Sequence, residues 1–376
     1  MNNFFALLVF AAVGTAAALY HSAADVWRLH DTSYIRSKLP FLQGSSNKSV
    51  ALPSLCLQES QHVLSGHLYH NPCLPSIYMI GPQKTGTTDM FMRLMRHPDA
   101  VEPARKEPHY WSRYANDTFR VHRYISKFYV DYVVRRTLDP ADHAFTVDAS
   151  ATYFYANRYM DISTAQLIYA HSSQSRILVL LRNPIDRTRS DFFFFGETCN
   201  RTRAALDLTT FDVNVRRTVE SFGRCITDKR LRFHEDVEEG RAFELDCALQ
   251  PEFSQRGRSN CDNGRPVVSA YAIWLQEWLR VWPRAQLAIF RLEDYDTDPT
   301  RFMSTVLTAL NLRRFENDSG LYMENIVAQS HKRVGRNVSH RGIFKSTFAF
   351  LTDFFQPYNE RLARMLGDDR YLWNDI

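Results

Sequence analysis

Gly81-Pro82-Gln83-Lys84-Thr85-Gly86-Thr87-Thr88 places two glycines, a lysine and three hydroxyls in one short loop. A short apolar run, Ser76–Ile80, precedes it, and a helical stretch, Thr87–Arg96, follows and stops at His97-Pro98. Backbone N–H groups of such a loop, together with the positive end of the next helix, cradle an anion. Gly81 and Gly86 have P-loop spacing, but Thr87 stands where the nucleotide-hydrolysing motif carries lysine, and Lys84 comes earlier. The lysine that reaches the β/γ-phosphates is therefore absent from its usual place, which argues against ATP hydrolysis. A second cationic position is Arg182, directly after the apolar hexad Arg176–Leu181 and followed by Asn183-Pro184 and, one to two helical turns on, Ser190. A third group is Lys106-Glu107-Pro108-His109, where a carboxylate sits between two basic side chains. Alone, a glutamate in such a stretch is more often a solvated loop charge than a base.

These groups need elements to hold them. Strand candidates are Ser76–Ile80, Phe145–Val147, Arg176–Leu181 and Leu287–Arg291. Helical stretches separate them, over about Arg123–Arg136, Met160–His171, Ile185–Phe195 and Val267–Trp282. Strands alternating with helices predict an α/β fold, a P-loop-like parallel sheet flanked by helices. The hexad reads as a buried central strand, so Arg182 emerges at a strand's C-terminal end, where such sheets bind ligands. Alternation lapses between Gly196 and Pro266, which is taken as an insertion on a domain spanning residues 76–376. Tyr110, Trp111 and Phe192–Phe195 are expected in the core.

Hydrophobic residues at 45% and charged residues at 23% exclude wholesale disorder, collagen and coiled coil. The net charge is a mild +5, but 38 arginines stand against 8 lysines, and arginine's planar fork suits carboxylate, phosphate and sulfate. Phe4–Tyr20 is a 17-residue uncharged stretch at the short end of what spans a bilayer. Residues 1–20 read as a signal anchor, with a cleaved signal peptide as the alternative because of Thr15-Ala16-Ala17-Ala18. Residues 21–75 read as a stem. Either reading sends the body through the secretory pathway. Sequons at Asn47, Asn116, Asn200, Asn317 and Asn337 agree with that address. So do six cysteines, Cys56, Cys73, Cys199, Cys225, Cys247 and Cys261, expected to pair in an unassigned connectivity. No CxxC occurs, which speaks against zinc.

IGPQKTGTT resembles the 5′-phosphosulfate loop of sulfotransferases that use 3′-phosphoadenosine-5′-phosphosulfate (PAPS). LVLLRNP followed by Ser190 resembles that family's 3′-phosphate motif. The chain looks nearest the Golgi carbohydrate enzymes, in particular the branch that 6-sulfates 4-sulfated N-acetylgalactosamine in chondroitin or dermatan sulfate, with KEPHYW driving the choice. The resemblance implies PAPS as donor and no metal, with the nucleotide held by Lys84, Thr85, Gly86, Thr87, Thr88, Arg182, Ser190 and Arg336, the last from a short Gly335-Arg336 match. It implies Glu107 as base and Lys84 at the leaving oxygen, with His109 as the alternative base. Lys106 and His109 are expected at an anionic glycosaminoglycan acceptor. Ala149 stands where heparan 3-O enzymes carry lysine, which argues against that acceptor. Implied too are a Golgi membrane address, single-pass with a luminal body, and no nucleic-acid partner. Rival readings are a P-loop kinase, a tyrosyl-protein sulfotransferase and a non-catalytic binder of sulfated glycans.

Overall fold

Side chains that alternate along two short apolar strands build the centre of the molecule. The computed structural model describes residues 74–113, 143–155, 163–198, 207–233, 240–250, 265–313 and 342–374, with Tyr124, Tyr129, Tyr132, Arg135, Phe253, Ile326 and Val327 placed singly. In chain order the elements are β1 (Ile77–Met79), α1 (Thr87–Leu94), α2 (Tyr110–Arg113), β2 (Val147–Asp148), α3 (Thr164–Ser172), β3 (Arg176–Leu181), α4 (Pro184–Thr198), α5 (Leu208–Phe233) and α6 (Gly240–Ala248). There follow α7 (Pro266–Ser269), α8 (Tyr271–Val281), β4 (Leu287–Arg291), α9 (Leu292–Thr297), α10 (Pro299–Ala309) and α11 (Lys345–Leu366). The strands form one sheet in the order β2-β1-β3-β4, every neighbouring pair parallel.

Both sheet faces are covered. Tyr78, Ile177, Val179 and Leu181 join one cluster with residues of α3, α8 and α11. Ile77, Met79, Leu178 and Leu180 join the other, with α1 and α10. This period-two division explains why β3 reads as a continuous apolar run. A third cluster packs α4, α5 and α11 through Phe192, Phe193, Phe211, Val215, Leu351 and Phe355.

Several boundaries differ from the expected ones. The second strand is Val147–Asp148, while Phe145 makes only an isolated bridge to Ala100. The expected helix Val267–Trp282 is two helices, broken where Ala270 turns to ψ 67°. Residues 196–266 carry α5 and α6, linked by a Cys225–Cys247 disulfide and contributing Phe222, Leu245 and Cys247 to the main core. The N-terminal apolar stretch, the stem to residue 73, the five sequons, Cys56, Cys73, Cys199, Cys261 and Arg336 lie outside the described residues, as does most of the expected helix over 123–136. Among the described residues, no helix is long and apolar enough to cross a membrane.

Candidate active site

After β1 the chain crosses close over β3. Ile80 N donates to Leu178 O at 2.9 Å, and a Cβ on Gly81 would lie 2.7 Å from Leu180 O, so only glycine passes. The loop then turns through left-handed backbone at Lys84 (φ 74°) and Gly86 (φ 89°), and Gly86 enters α1 without a side-chain cap. First-turn amides of an α-helix have no partner within the helix, and here they open beside the loop. Thr85 Oγ1 donates to Pro82 O at 2.7 Å, which tightens the turn. Thr87 is buried and Thr88 exposed.

Arg182, at the end of β3, reaches this loop: its Nη1 donates to Lys84 O at 3.3 Å. Its own carbonyl accepts from Tyr271 Oη at 2.7 Å, and Asn183 Oδ1 caps α4 by accepting from Ile185 N and Asp186 N. Ser190 is half-buried on α4. Two strand ends and their loops thus converge at the C-terminal edge of the adjacent pair β1 and β3. Lys84 Nζ lies 3.6 Å from the centre of the Phe194 ring, a cation–π contact. Burial lowers the lysine's pKa to about 8, with Arg182 and Arg187 adding to the fall and Asp191 opposing it. Phe194 is 48% exposed, so the expectation of a core Phe192–Phe195 run holds for the other three only; Tyr110 and Trp111 are in the core.

Beneath the loop lies a network that the sequence did not announce. Arg187 donates Nε–H to Gln83 O at 3.1 Å, and its Nη1 donates to Arg265 O and Ser269 Oγ. Arg265 grips Asp191 through Nε (2.8 Å) and Nη2 (2.6 Å), and its Nη1 donates to Tyr155 Oη at 2.9 Å. Tyr155 in turn donates to Gln83 Oε1 at 2.7 Å. Both arginines are wholly buried, so their charges need these partners. Arg187 and Asp191 are four apart on α4, a spacing visible in the sequence; Arg265 had no local signal.

Lys106, Glu107 and His109 form a second group. Lys106 Nζ lies 2.9 Å from Glu107 Oε1, and His109 Nε2 lies 3.5 Å from Glu107 Oε2. Burial would raise the Glu107 pKa, but His109 and Lys106 outweigh it and bring the value down to about 2. The carboxylate is ionised at neutral pH, the form a proton acceptor needs. Glu107 (φ 60°) and His109 (φ 56°) both adopt left-handed backbone, a conformation costing about 1–2 kcal/mol for a non-glycine residue. His109 Nδ1 lies 2.8 Å from Thr152 Oγ1. Asp148, at the end of β2, is wholly buried and accepts from Tyr124 Oη, Ser150 Oγ and Tyr153 Oη at 2.6, 2.6 and 2.9 Å. Burial pushes its carboxyl pKa up, against these three donors.

The described residues thus hold two groups, a glycine-gated loop met by the strand-end Arg182 and a carboxylate, Glu107, held between Lys106 and His109. The chain belongs to the sulfotransferase family: residues 74–337 match the sulfotransferase domain. Similar proteins include carbohydrate sulfotransferase 15 of Homo sapiens, 28% identical across 82% of this chain and 57% of the relative. Membrane-associated sulfotransferase kil1 of Dictyostelium discoideum is 22% identical over 87% of this chain and 71% of the relative. The bifunctional heparan sulfate N-deacetylase/N-sulfotransferase 2 of Homo sapiens is 24% identical over 78% and 30%. The chain thus spans little more than half the length of carbohydrate sulfotransferase 15.

Proposed function

We propose that this protein transfers the sulfuryl group of PAPS to a hydroxyl of a glycosaminoglycan, at C6 of N-acetylgalactosamine 4-sulfate in chondroitin or dermatan sulfate. The contact of Arg182 with the Lys84 carbonyl carries the reading, because it joins the two anion-binding segments at one sheet edge. In this reading residues 84–88 hold the 5′-phosphosulfate and Arg182 and Ser190 hold the 3′-phosphate, with Arg336, outside the described residues, as the remaining nucleotide-binding residue. The acceptor hydroxyl gives its proton to Glu107 while its oxygen bonds to sulfur and the bridging S–O bond breaks. Lys84 meets the charge that appears on the departing phosphate oxygen. Lys106 and His109 orient an anionic acceptor. The likeness to carbohydrate sulfotransferase 15 of Homo sapiens, named for a carbohydrate acceptor, supports the acceptor class.

The same proposal gives residues 1–20 as a signal anchor, 21–75 as a stem and 76–376 as a luminal catalytic domain in the Golgi membrane. The disulfide Cys225–Cys247 and a membrane-associated relative support that address. The test is disaccharide analysis after incubation with PAPS and a panel of glycosaminoglycans, with ATP turnover measured alongside. Sulfate at C6 of 4-sulfated N-acetylgalactosamine is expected, undiminished in EDTA; ATP hydrolysis or strict need for Mg²⁺ defeats the reading. Glu107→Gln should remove most transfer and leave nucleotide affinity nearly unchanged.

A further inference from the structure

Asp148 is a buried carboxylate that the proposed chemistry does not use. Its hydroxyl donors do more than neutralise it. Ser150 Oγ donates to Asp148 Oδ1 and accepts His109 N–H at 2.9 Å. Tyr153 Oη donates to Asp148 Oδ2 and accepts Trp111 N–H at 3.2 Å. Each hydroxyl has one proton and gives it to the carboxylate, so only its lone pairs face the amides. Donation to a carboxylate also polarises the hydroxyl oxygen and strengthens the bond it accepts. The two straps end on a segment whose residues Glu107 and His109 hold left-handed backbone. Strained backbone of this kind persists where its surroundings over-determine it. Asp148 terminates β2, so the straps tie that segment to the sheet.

We propose that Asp148 is the positioning residue of the candidate base, fixing the backbone from Glu107 to Trp111 through the hydroxyls of Ser150 and Tyr153. This rests on the reading of Glu107 as base. The nucleotide loop is held by a separate set of bonds, from Arg187, Arg265 and Tyr155 to Gln83. Loosening the straps therefore displaces the base and spares the nucleotide site.

The experiment compares Ser150→Ala, Tyr153→Phe and Asp148→Asn in the full chain. The first two remove one strap each and keep the buried carboxylate partnered, so they decide the matter even where Asp148→Asn misfolds. Expected are kcat losses of about 10–100-fold, the scale of an ångström-level misplacement, with the dissociation constant for 3′-phosphoadenosine 5′-phosphate changed less than about two-fold. Hydrogen exchange should quicken at the His109 amide in Ser150→Ala and at the Trp111 amide in Tyr153→Phe. Unchanged kcat in both single-strap variants overturns the proposal, as does a parallel loss of nucleotide affinity. Wild-type protein without transferase activity, or an active Glu107→Gln, rejects the roles assigned above instead. Exchange then decides the straps: local quickening supports them, and unaltered protection overturns them.

Discussion

Lys84 and Glu107 are held away from their ordinary titration ranges, and each shift predicts a limb of the pH–rate profile. In the proposed reaction the lysine must be protonated to meet the leaving phosphate. With its pKa lowered to about 8 by burial, kcat/KM should fall as pH rises through that value. Bound polyanion favours the charged form, so the matching limb in kcat should lie higher. Lys84→Arg, with a side chain that stays charged, should remove the limb, and Lys84→Ala should cost on the order of 10²–10³ in kcat. The folded pKa lies below the unfolded one, so this group lets stability rise with pH between about 8 and about 10.4. Glu107 must be ionised to accept a proton. Its folded pKa of about 2 is depressed from about 4.3, so its contribution to stability is complete above the unfolded value and is lost as pH falls through the folded one. Removing the Lys106 charge as Lys106→Met should raise that pKa and move the acid limb of kcat upward. An unmoved limb in Lys106→Met would mean that another group sets it.

Gly81 is where the order of elements becomes a constraint on a residue, because β1 and β3 are neighbours and their ends nearly touch there. An added Cβ would meet Leu180 O at 2.7 Å and Leu180 N at 2.9 Å, both backbone atoms that cannot swing aside. Gly81→Ala should therefore lower stability by about 1–3 kcal/mol and weaken nucleotide binding, read by thermal melting and calorimetry. A variant with wild-type melting and affinity would disprove this close approach. Much at this scale was legible in the sequence. The hexad Arg176–Leu181 read as a central strand because both faces are covered, and the loop before Thr87 read as the link between a strand and a helix, which β1 and α1 are. Other parts depend on tertiary distance. Arg265 meets Asp191 across 74 residues, and the Asp148 straps join β2 to the segment around His109, so neither leaves a local pattern. Helix α5 is a different case. Phe211, Val215 and Phe222 lie on its buried face at helical spacing, but Arg216, Arg217, Glu220 and Arg224 between and around them hid the stripe. Ala270, where the expected helix breaks, carries no proline or glycine to mark the stop.

At the scale of the molecule, the strand-end site and the helices of residues 196–266 are one packed unit, since α4, which follows Arg182, shares a cluster with Phe211 and Val215 of α5. In the proposed reading α5 walls an acceptor groove next to the nucleotide site. A sulfated galactosaminoglycan carries one or two negative charges per sugar, and an enzyme that grips it does so through several solvent-facing cations. The arginine-heavy composition offers them, with Arg217 and Arg224 exposed on α5. Each such pair is weak and screened, with a Debye length of about 10 Å at 0.1 M salt, but their sum depends steeply on ionic strength. In the proposed reading the nucleotide is held differently, by backbone amides and by the half-buried side chains of Lys84, Arg182 and Ser190, where screening is smaller. Raising salt from about 0.05 to about 0.3 M should therefore raise the acceptor KM several-fold and the PAPS KM much less. Chondroitin, 4-sulfated chondroitin, a heparan precursor and a tyrosine peptide, offered at equal PAPS, should be labelled with 4-sulfated chondroitin foremost. Preference for the peptide or for the heparan precursor would replace the acceptor assigned here and leave membership of the sulfotransferase family standing. Equal salt sensitivity of the two KM values would instead remove the cationic groove from the account, whichever acceptor is preferred.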